Sequence, residues 1–287
     1  MKPISRVAAI HDISGFGRCS LTVALPTLSA MGVQCAALPT AYLSAHTGFP
    51  RFTFFDMTKQ MIDTAGHWKD MDLRFDALYS GFLGSEEQIG VVAGFFDSFK
   101  RGDGTLVVVD PVMGDDGKPY KTYTPQMCSR MKELTAKADL ITPNVTEACI
   151  LLDRPYESLP AEPEGYKEWL DELSGGGKRS VVITGVRPSP CRIGQVYFDR
   201  KSGDFGYAGR EFVGMTFHGT GDLYSSVLVG ALMRGLPLAD AADMAAGFVR
   251  DCCELSLADG TPPVEGVRFE SLLGRLTTNN EQRTTNS

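Results

Sequence analysis

Residues 77–110, ALYSGFLGSEEQIGVVAGFFDSFKRGDGTLVVVD, contain the pattern that decides the fold. The stretch begins with a short apolar run at 77–79 and ends with a β-branched run at 105–109, and both are typical of buried strands. Between them lies an apolar-periodic segment at 85–99, for which Ser85 is a suitable N-cap. Because two buried strands joined by a helix form a parallel crossover unit, this stretch predicts an α/β fold.

The same alternation of strands and helices continues on both sides. We expect further strands at 7–10, 33–38, 140–141 and 180–184, a hairpin of 191–198 with 205–212, and helices at 19–31, 54–68, 125–136, 142–152, 163–173, 219–234 and 238–255, with a last short helix ending near residue 276. Residues 39–55 are expected to form a loop. Since no linker divides the chain, we expect one domain over residues 1–276, followed by a disordered polar tail at 277–287.

Composition and charge exclude several classes of function. The chain has 287 residues, with 28 basic and 35 acidic side chains and a formal net charge of −7, so we expect no nucleic-acid partner. No apolar run approaches the roughly 20 residues that span a bilayer, and no signal-peptide pattern is present, so we expect no membrane association. Seven cysteines without a Cys-x-x-Cys pair favour a reducing cytoplasm over a disulfide framework.

The strongest functional pattern is Gly219-Thr220-Gly221-Asp222, at the predicted start of a helix. Glycines let the backbone approach a phosphate closely, and the free N–H groups of a helix start form an anion site. A carboxylate inside an anion site competes with the phosphate, unless it accepts the proton of a hydroxyl that attacks the γ-phosphorus. The pattern therefore favours phosphoryl transfer with Asp222 as the base; the alternative is an ordinary glycine-rich turn.

Carboxylates follow two of the predicted strands. Asp110 ends one strand and Asp115 lies one tight turn later, where the two can hold hydrated Mg²⁺ or serve as solvated turn residues. Glu147 follows the next strand and can serve the same metal and phosphate region, or pair with Asn144 in a capping box. The glycine-rich stretch at 175–180 precedes a strand instead of following one, which excludes a P-loop.

Two loop segments are candidates for a substrate pocket. His46-Thr47-Gly48 and Phe82 lie in loops that follow predicted strands, and ligands of parallel sheets bind beyond the carboxyl ends of the strands. A structural role is the alternative for a lone His or Phe in a loop.

Over residues 5–257 the chain resembles the vitamin B6 kinases of the ribokinase-like superfamily. The resemblance is carried by Asp110-Pro111-Val112-Met113-Gly114-Asp115, Thr142-Pro143-Asn144 with Glu147, His46-Thr47-Gly48, and Gly219-Thr220-Gly221-Asp222. It implies a three-layer αβα sandwich around a mostly parallel sheet. It also implies transfer of the ATP γ-phosphoryl group to the 5′-hydroxymethyl group of pyridoxal, pyridoxine or pyridoxamine in pyridoxal 5′-phosphate salvage. The resemblance further implies Mg²⁺, a monovalent cation that is usually K⁺, and assembly as a homodimer.

The same resemblance implies roles for individual residues. Asp222 matches the base, and Gly219, Thr220 and Gly221 match the anion hole. Near Mg²⁺ and the phosphates, the acidic positions are Asp110, Asp115 and Glu147. The remaining ATP-binding positions are Thr142, Asn144, Thr184 and Thr220. The substrate-binding positions are Asp12, Ser14, His46, Thr47, Phe82 and Asp222.

Departures from the family pattern concern the substrate ring. Pyridoxal kinases commonly carry Ser-His where this chain has Asp12-Ile13, and the surrounding loop is closer to that of hydroxymethylpyrimidine kinases. Phe82 stands where Tyr is usual, and Ala45 where Asn is common. Against the pyrimidine alternative, those kinases usually carry Cys where this chain has Asp222. Asp12 can accept a hydrogen bond from a pyridinium nitrogen, an aminopyrimidine amine or a phenol, or attract the amine of pyridoxamine.

Three alternatives to a B6-vitamer kinase follow from these patterns. A hydroxymethylpyrimidine kinase of thiamine synthesis would use the same machinery on a different ring. A sugar kinase is disfavoured, because residues 14–31 predict a helix where those enzymes insert a strand lid. A non-catalytic vitamer-binding protein would keep the pocket but would not need Asp222.

Overall fold

A nine-stranded sheet with helices on both faces forms the centre of the computed structural model, which describes residues 4–277. The strands of this sheet are β1 (Arg6–Ser14), β2 (Gln34–Leu43), β3 (Phe54–Asp56), β4 (Ala77–Ser80), β5 (Leu106–Val109), β8 (Leu140–Ile141), β9 (Ser180–Ser189), β10 (Arg192–Phe198) and β11 (Phe205–Glu211); β6 (Gly114–Asp115) and β7 (Lys118–Pro119) form a separate small hairpin. Their order is β11-β10-β9-β8-β5-β4-β1-β2-β3. The six central strands are parallel, and β3, β10 and β11 are antiparallel to their neighbours. The predicted α/β fold with a mostly parallel sheet is confirmed.

The helices connect consecutive strands and cover the sheet. They are α1 (Leu21–Ala30), α2 (Thr58–Asp70), α3 (Glu86–Phe99), α4 (Pro125–Thr135), α5 (Val145–Leu152), α6 (Lys167–Ser174), α7 (Thr220–Met233) and α8 (Leu238–Ala258), with a last 3₁₀ helix at Glu270–Leu276. Ser85 caps α3 as predicted, since its side chain accepts a hydrogen bond from the N–H of Gln88. Within residues 4–277, no helix is long and apolar enough to cross a membrane.

The core has two halves because successive side chains of a strand point to opposite faces of the sheet. In β5, Val107 and Val109 pack in one buried cluster, and Val108 packs in the other. The first cluster joins the sheet to α3, α4 and α6, and the second joins it to α1, α7 and α8. The sheet is therefore buried on both faces.

The predicted loop at 39–55 is partly wrong. Strand β2 continues to Leu43, and β3 pairs with it in antiparallel register, with Tyr42 opposite Phe55. For the same reason the helix predicted from residue 54 begins only at Thr58, whose N–H donates to Asp56 Oδ1 at 2.8 Å. Cross-strand pairing thus determines the structure of residues 54–56.

Three smaller differences concern the ends of elements. The strand predicted to end at 184 runs to Ser189, because β10 pairs with it and extends the ladder. The helix predicted over 163–173 begins as a 3₁₀ turn at Pro163–Tyr166 before α6. The helix predicted within 14–31 begins at Leu21, after a loop at 15–20. Apart from Thr277, the predicted tail at 277–287 lies outside the described residues.

Candidate active site

A cavity of about 880 Å³ opens at the carboxyl ends of the parallel strands. It is bounded by the loops after β1, β2, β4, β5 and β8 and by the start of α7. Fourteen of the fifteen predicted site residues line it: Asp12, His46, Thr47, Phe82, Asp110, Asp115, Thr142, Asn144, Glu147, Thr184, the N-cap Gly219, and the three residues that begin α7, Thr220, Gly221 and Asp222. Ser14 is not on the wall.

The start of α7 has the geometry of an anion site. Gly219, the N-cap, has φ 74°, and a Cβ there would meet the carbonyl oxygen of Arg18 at 1.9 Å, so glycine is required. The N–H of Leu223 donates to the carbonyl of Gly219 at 3.0 Å. The N–H groups of Thr220, Gly221 and Asp222 belong to the first turn and have no intrahelical partner. They are therefore available to a bound anion.

Asp222 lies in this first turn as a partly buried carboxylate. Burial raises its pKa to about 7, a hydrogen bond from the N–H of Ser20 opposes that rise, and the charge of Asp12 adds to it. A carboxylate with a pKa near neutrality is well matched to take a proton from an alcohol in a reaction at neutral pH.

Asp110 lies deeper in the cavity, where β5 ends. Its Oδ2 accepts a hydrogen bond from Ser225 Oγ at 3.0 Å, and Ser225 Oγ lies 3.1 Å from Thr142 Oγ1. Burial, followed by the negative charge of Asp222, raises the pKa of Asp110 to about 8. Thr142, predicted on the ATP side, thus belongs to the network that holds this carboxylate.

Glu147 forms the capping box of α5 with Asn144. The N–H of Asn144 donates to Glu147 Oε2 at 2.8 Å, and the N–H of Glu147 donates to Asn144 Oδ1 at 2.9 Å. Its other oxygen accepts from the N–H of Met113 at 3.1 Å. Burial, together with the charge of Asp110, raises the pKa of Glu147 well above its usual range. The structural alternative for Glu147 is confirmed, and its carboxylate still lines the cavity.

The donor set of Asp110, Asp115 and Glu147 fits Mg²⁺ bound together with nucleotide. Among the described residues, no group of three acidic, His or Cys side chains is close enough to hold an ion alone. Mg²⁺ is usually held by one or two carboxylates plus phosphate oxygens and waters, which does not need such a group. The mutual repulsion of Asp110 and Glu147 favours a cation between the cavity wall and an incoming phosphate chain.

Asp12 is buried at the end of β1, with both oxygens occupied. Ser20 Oγ donates to Oδ1 at 2.5 Å and Ser14 Oγ donates to Oδ2 at 2.9 Å. Ser14, predicted as a substrate contact, therefore lies behind Asp12 and supports it. Burial raises the pKa of Asp12, and the two hydroxyl hydrogen bonds oppose the rise. A cationic group of a ligand would restore its charge.

His46 is a neutral imidazole held by the backbone on both sides. The N–H of Gly48 donates to its Nδ1 at 3.1 Å, so its Nε2 carries the proton and donates to the carbonyl of Val264 at 2.6 Å. Burial lowers the pKa of His46, despite the opposing effect of Val264. These bonds fix the loop that presents Thr47 to the cavity. His46 therefore positions this loop and is not free to shuttle protons.

Several cavity residues were missed by the sequence analysis. The ring of His218 packs against that of His46 with centroids 4.8 Å apart, and its place directly before Gly219 is the signal in the sequence that could have identified it. Ser20 and Ser225 support Asp12 and Asp110 through their hydroxyls, and lone serines in a loop and a helix carry no such signal. Arg187 reaches the cavity from β9.

Comparison with known proteins assigns the chain to a family. Residues 22–265 match the model of the phosphomethylpyrimidine kinase family. A candidate phosphomethylpyrimidine kinase from Bacteroides thetaiotaomicron VPI-5482, crystallised with pyridoxal, is 38% identical, with a TM-score of 0.92 over 97% of this chain and 98% of that chain. Pyridoxal kinase from Lactobacillus plantarum is 31% identical, with a TM-score of 0.86 over 96% of this chain and 97% of that chain.

A hydroxymethylpyrimidine/phosphomethylpyrimidine kinase from Bacillus subtilis (strain 168) is 28% identical over 259 residues, which are 87% of this chain and 82% of that protein. The likeness to both kinds of kinase extends over nearly the whole chain, and the likeness to pyridoxal kinase confirms the ribokinase-like sandwich. The chain therefore belongs to the phosphomethylpyrimidine kinase family and is a kinase that transfers a phosphoryl group to an alcohol.

Proposed function

We propose that this kinase uses ATP to phosphorylate the 5′-hydroxymethyl group of a vitamin B6 vitamer. The observation that carries the proposal is the position of Asp222 in the first turn of α7, in the same cavity as Asp12, His46 and Phe82. The cavity thus brings together a candidate base, an anion site and the candidate ring contacts Asp12, His46 and Phe82. The 38% identical relative crystallised with pyridoxal supports a substrate with a pyridine ring.

In the proposed reaction the protein forms no covalent bond to the substrate and acts by positioning and charge stabilisation. Asp222 takes the proton of the hydroxymethyl group as its oxygen forms a bond to the γ-phosphorus and the bond to the ADP leaving oxygen breaks. The N–H groups of Gly219, Thr220 and Gly221 donate to the oxygens of the transferring group. Ser225 and Thr142 hold Asp110, while Asn144 holds Glu147, so both carboxylates keep their places as nucleotide enters.

The proposal includes Mg²⁺ and a monovalent cation, K⁺. Asp110, Asp115 and Glu147 would hold Mg²⁺ together with water and the phosphate oxygens of the nucleotide, and the ion would neutralise charge on the phosphates. Asn144 and Thr184, joined by an isolated β-bridge, lie beside these carboxylates on the proposed ATP side.

Asp12 supports pyridoxamine as a preferred vitamer. Burial disfavours the ionised form of this carboxylate, and a cationic partner would stabilise that form. Pyridoxamine carries an amine beside the ring that can serve as this partner. The same carboxylate can accept from an aminopyrimidine. A hydroxymethylpyrimidine kinase is therefore the second candidate, supported by the family match and by the Bacillus subtilis relative.

We also propose a homodimer and one kinase domain over residues 1–276, in a reducing cytoplasm. The edge strand β3 and its surroundings expose Phe16, Tyr42, Phe54 and Phe55, a cluster of aromatic side chains that a partner subunit would cover. All seven cysteines are free, as expected in a reducing compartment. The molar mass in solution tests the dimer.

The test is a comparison of kcat/KM for pyridoxal, pyridoxine, pyridoxamine and hydroxymethylpyrimidine, with ATP, Mg²⁺ and K⁺ present. We expect the kcat/KM for at least one pyridine vitamer to exceed that for hydroxymethylpyrimidine by at least about tenfold. In Asp12→Asn, we expect any preference for pyridoxamine to fall. Turnover of the pyrimidine alone would establish the second candidate. Vitamer binding in calorimetry without ATP consumption would identify a binding protein instead.

A further inference from the structure

The active-site cavity carries far more negative than positive charge. Seven acidic side chains line it: Asp12, Asp110, Asp115, Asp116, Glu147, Glu211 and Asp222. Three arginines line it as well: Arg187, Arg210 and Arg250. A nucleotide with several phosphate charges entering this cavity therefore needs a cation that is free to bind it.

Two of the three arginines already have carboxylate partners. Arg210 forms an ion pair with Asp243 across β11 and α8. The guanidinium of Arg250 lies 2.8 Å from a carboxylate oxygen of Asp251 and 3.5 Å from one of Glu254. Their charges are thus compensated within the protein.

Arg187 differs from both in that no hydrogen bond or ion pair to its side chain occurs within residues 4–277. Its guanidinium carbon lies 4.2 Å from the centre of the Phe212 ring, a distance typical of a cation–π contact. Phe212 is itself tied to the hairpin, because its N–H donates to the carbonyl of Cys191 at 2.8 Å. Stacking leaves the N–H donors in the plane of the guanidinium free for an anion.

The position of Arg187 points to the phosphate side of the cavity. It lies on β9, three residues after Thr184. Burial raises the pKa of Asp115, and the positive charge of Arg187 opposes that rise, which places the guanidinium within electrostatic reach of this carboxylate. Asp115 is one of the carboxylates assigned above to Mg²⁺ and the phosphates.

We propose that Arg187 binds the phosphate chain of the nucleotide and that Phe212 holds its guanidinium in place. The inference rests on the proposed function, since it needs ATP in this cavity. A planar guanidinium matches two phosphate oxygens with parallel hydrogen bonds, and this geometry is lost in lysine. Arg187 would then supply a positive charge that is not already paired with a carboxylate, unlike the charges of Arg210 and Arg250.

The test is titration of ATP and adenosine into the full-length protein by calorimetry, with no vitamer present. In Arg187→Gln we expect ATP to bind at least about tenfold more weakly, because charge-assisted hydrogen bonds are lost, and adenosine to bind as to the parent. Arg187→Lys and Phe212→Leu should each lower the affinity for ATP by a smaller factor. Arg192→Gln is the control: it removes an exposed arginine on the neighbouring strand β10, outside the cavity. It should change the affinity for neither ATP nor adenosine.

Unchanged ATP binding in Arg187→Gln would overturn the proposal, as would an equal loss for ATP and adenosine, which would indicate a structural role. If the parent protein bound no nucleotide, the proposed function would fall together with the inference. Normal ATP binding by the parent and by Arg187→Gln would remove only the assignment of Arg187. The two failures are thus distinguishable.

Discussion

Ser20 donates its backbone N–H to the carboxylate of Asp222, and its hydroxyl donates to Asp12 at 2.5 Å. One residue therefore joins the proposed base to the proposed ring-binding carboxylate. Ser20 has φ 54° and ψ −133°, a backbone conformation that favours glycine. Such a conformation persists only where the surroundings enforce it, and here both carboxylates do so.

Removal of the Ser20 hydroxyl should loosen this connection. In Ser20→Ala, the strained backbone loses its anchor on Asp12, and its N–H is no longer held against Asp222. We expect kcat to fall about tenfold while the KM for ATP stays unchanged. Ser14→Ala is the matched variant, because it removes the other hydroxyl from Asp12 without touching Asp222, and it should lower kcat less. Equal effects of the two substitutions would contradict this role of Ser20.

The two glycines of the anion site should respond differently to alanine. Gly219→Ala places a Cβ 1.9 Å from the carbonyl oxygen of Arg18 at φ 74°, so we expect a loss of about 2 kcal/mol or more in the free energy of unfolding. Gly221→Ala meets no atom within 4 Å and should unfold at the parent's denaturant midpoint or slightly above it. Urea unfolding of both variants measures this, and equal destabilisation would argue against the described loop geometry.

The activity should depend on the ionisation of Asp222. Its pKa is raised to about 7, chiefly by burial, and the base works only in the ionised form. The kcat/KM for the vitamer should therefore rise with pH through about 7, and fall about tenfold per pH unit well below it. In Asp12→Asn the negative charge that adds to the rise is gone, so the midpoint should move to lower pH. A profile without an acidic limb near pH 7 would be inconsistent with this assignment.

The same raised pKa predicts a cost in stability. The pKa of Asp222 is higher in the folded than in the unfolded protein, so its ionisation opposes folding. This destabilisation is absent below about pH 4, grows as the pH rises, and is complete above about pH 7. We therefore expect Asp222→Asn to raise the Tm at pH 8 and to leave it nearly unchanged at pH 4. A Tm increase of the same size at both values would point to a cause other than ionisation.

Much of the fold was predictable because the central strands are buried on both faces. Their apolar runs and the capped helices between them have local signals, such as Ser85 at α3 and Asn144 with Glu147 at α5. Strand β3 has no such signal. Residues 54–56 are too few to show a period of two, and their conformation depends on pairing with Ala41, Tyr42 and Leu43.

The site was predictable where its functional residues are close together in the sequence and form a motif. Gly219 to Asp222 and Asp110 to Asp115 are such stretches, and both line the cavity. The contact of Arg187 with Phe212 is different, because it forms only when the pairing of β10 with both β9 and β11 brings two separated segments together. The positive φ of Ser20 has no signal in the sequence either, since it depends on contacts with Asp12 and Asp222, which lie on other elements.

The central claim is that Asp222 is the base of an ATP-dependent hydroxymethyl kinase. The most direct test is a single-turnover reaction with saturating ATP and with the protein in excess over pyridoxamine, in which ³¹P NMR follows formation of the phosphate ester in the parent and in Asp222→Asn. We predict ester formation by the parent and a rate at least about a hundredfold lower in the variant, with vitamer and ATP still bound in calorimetry. Ester formation by Asp222→Asn at a rate close to the parent's would contradict the account.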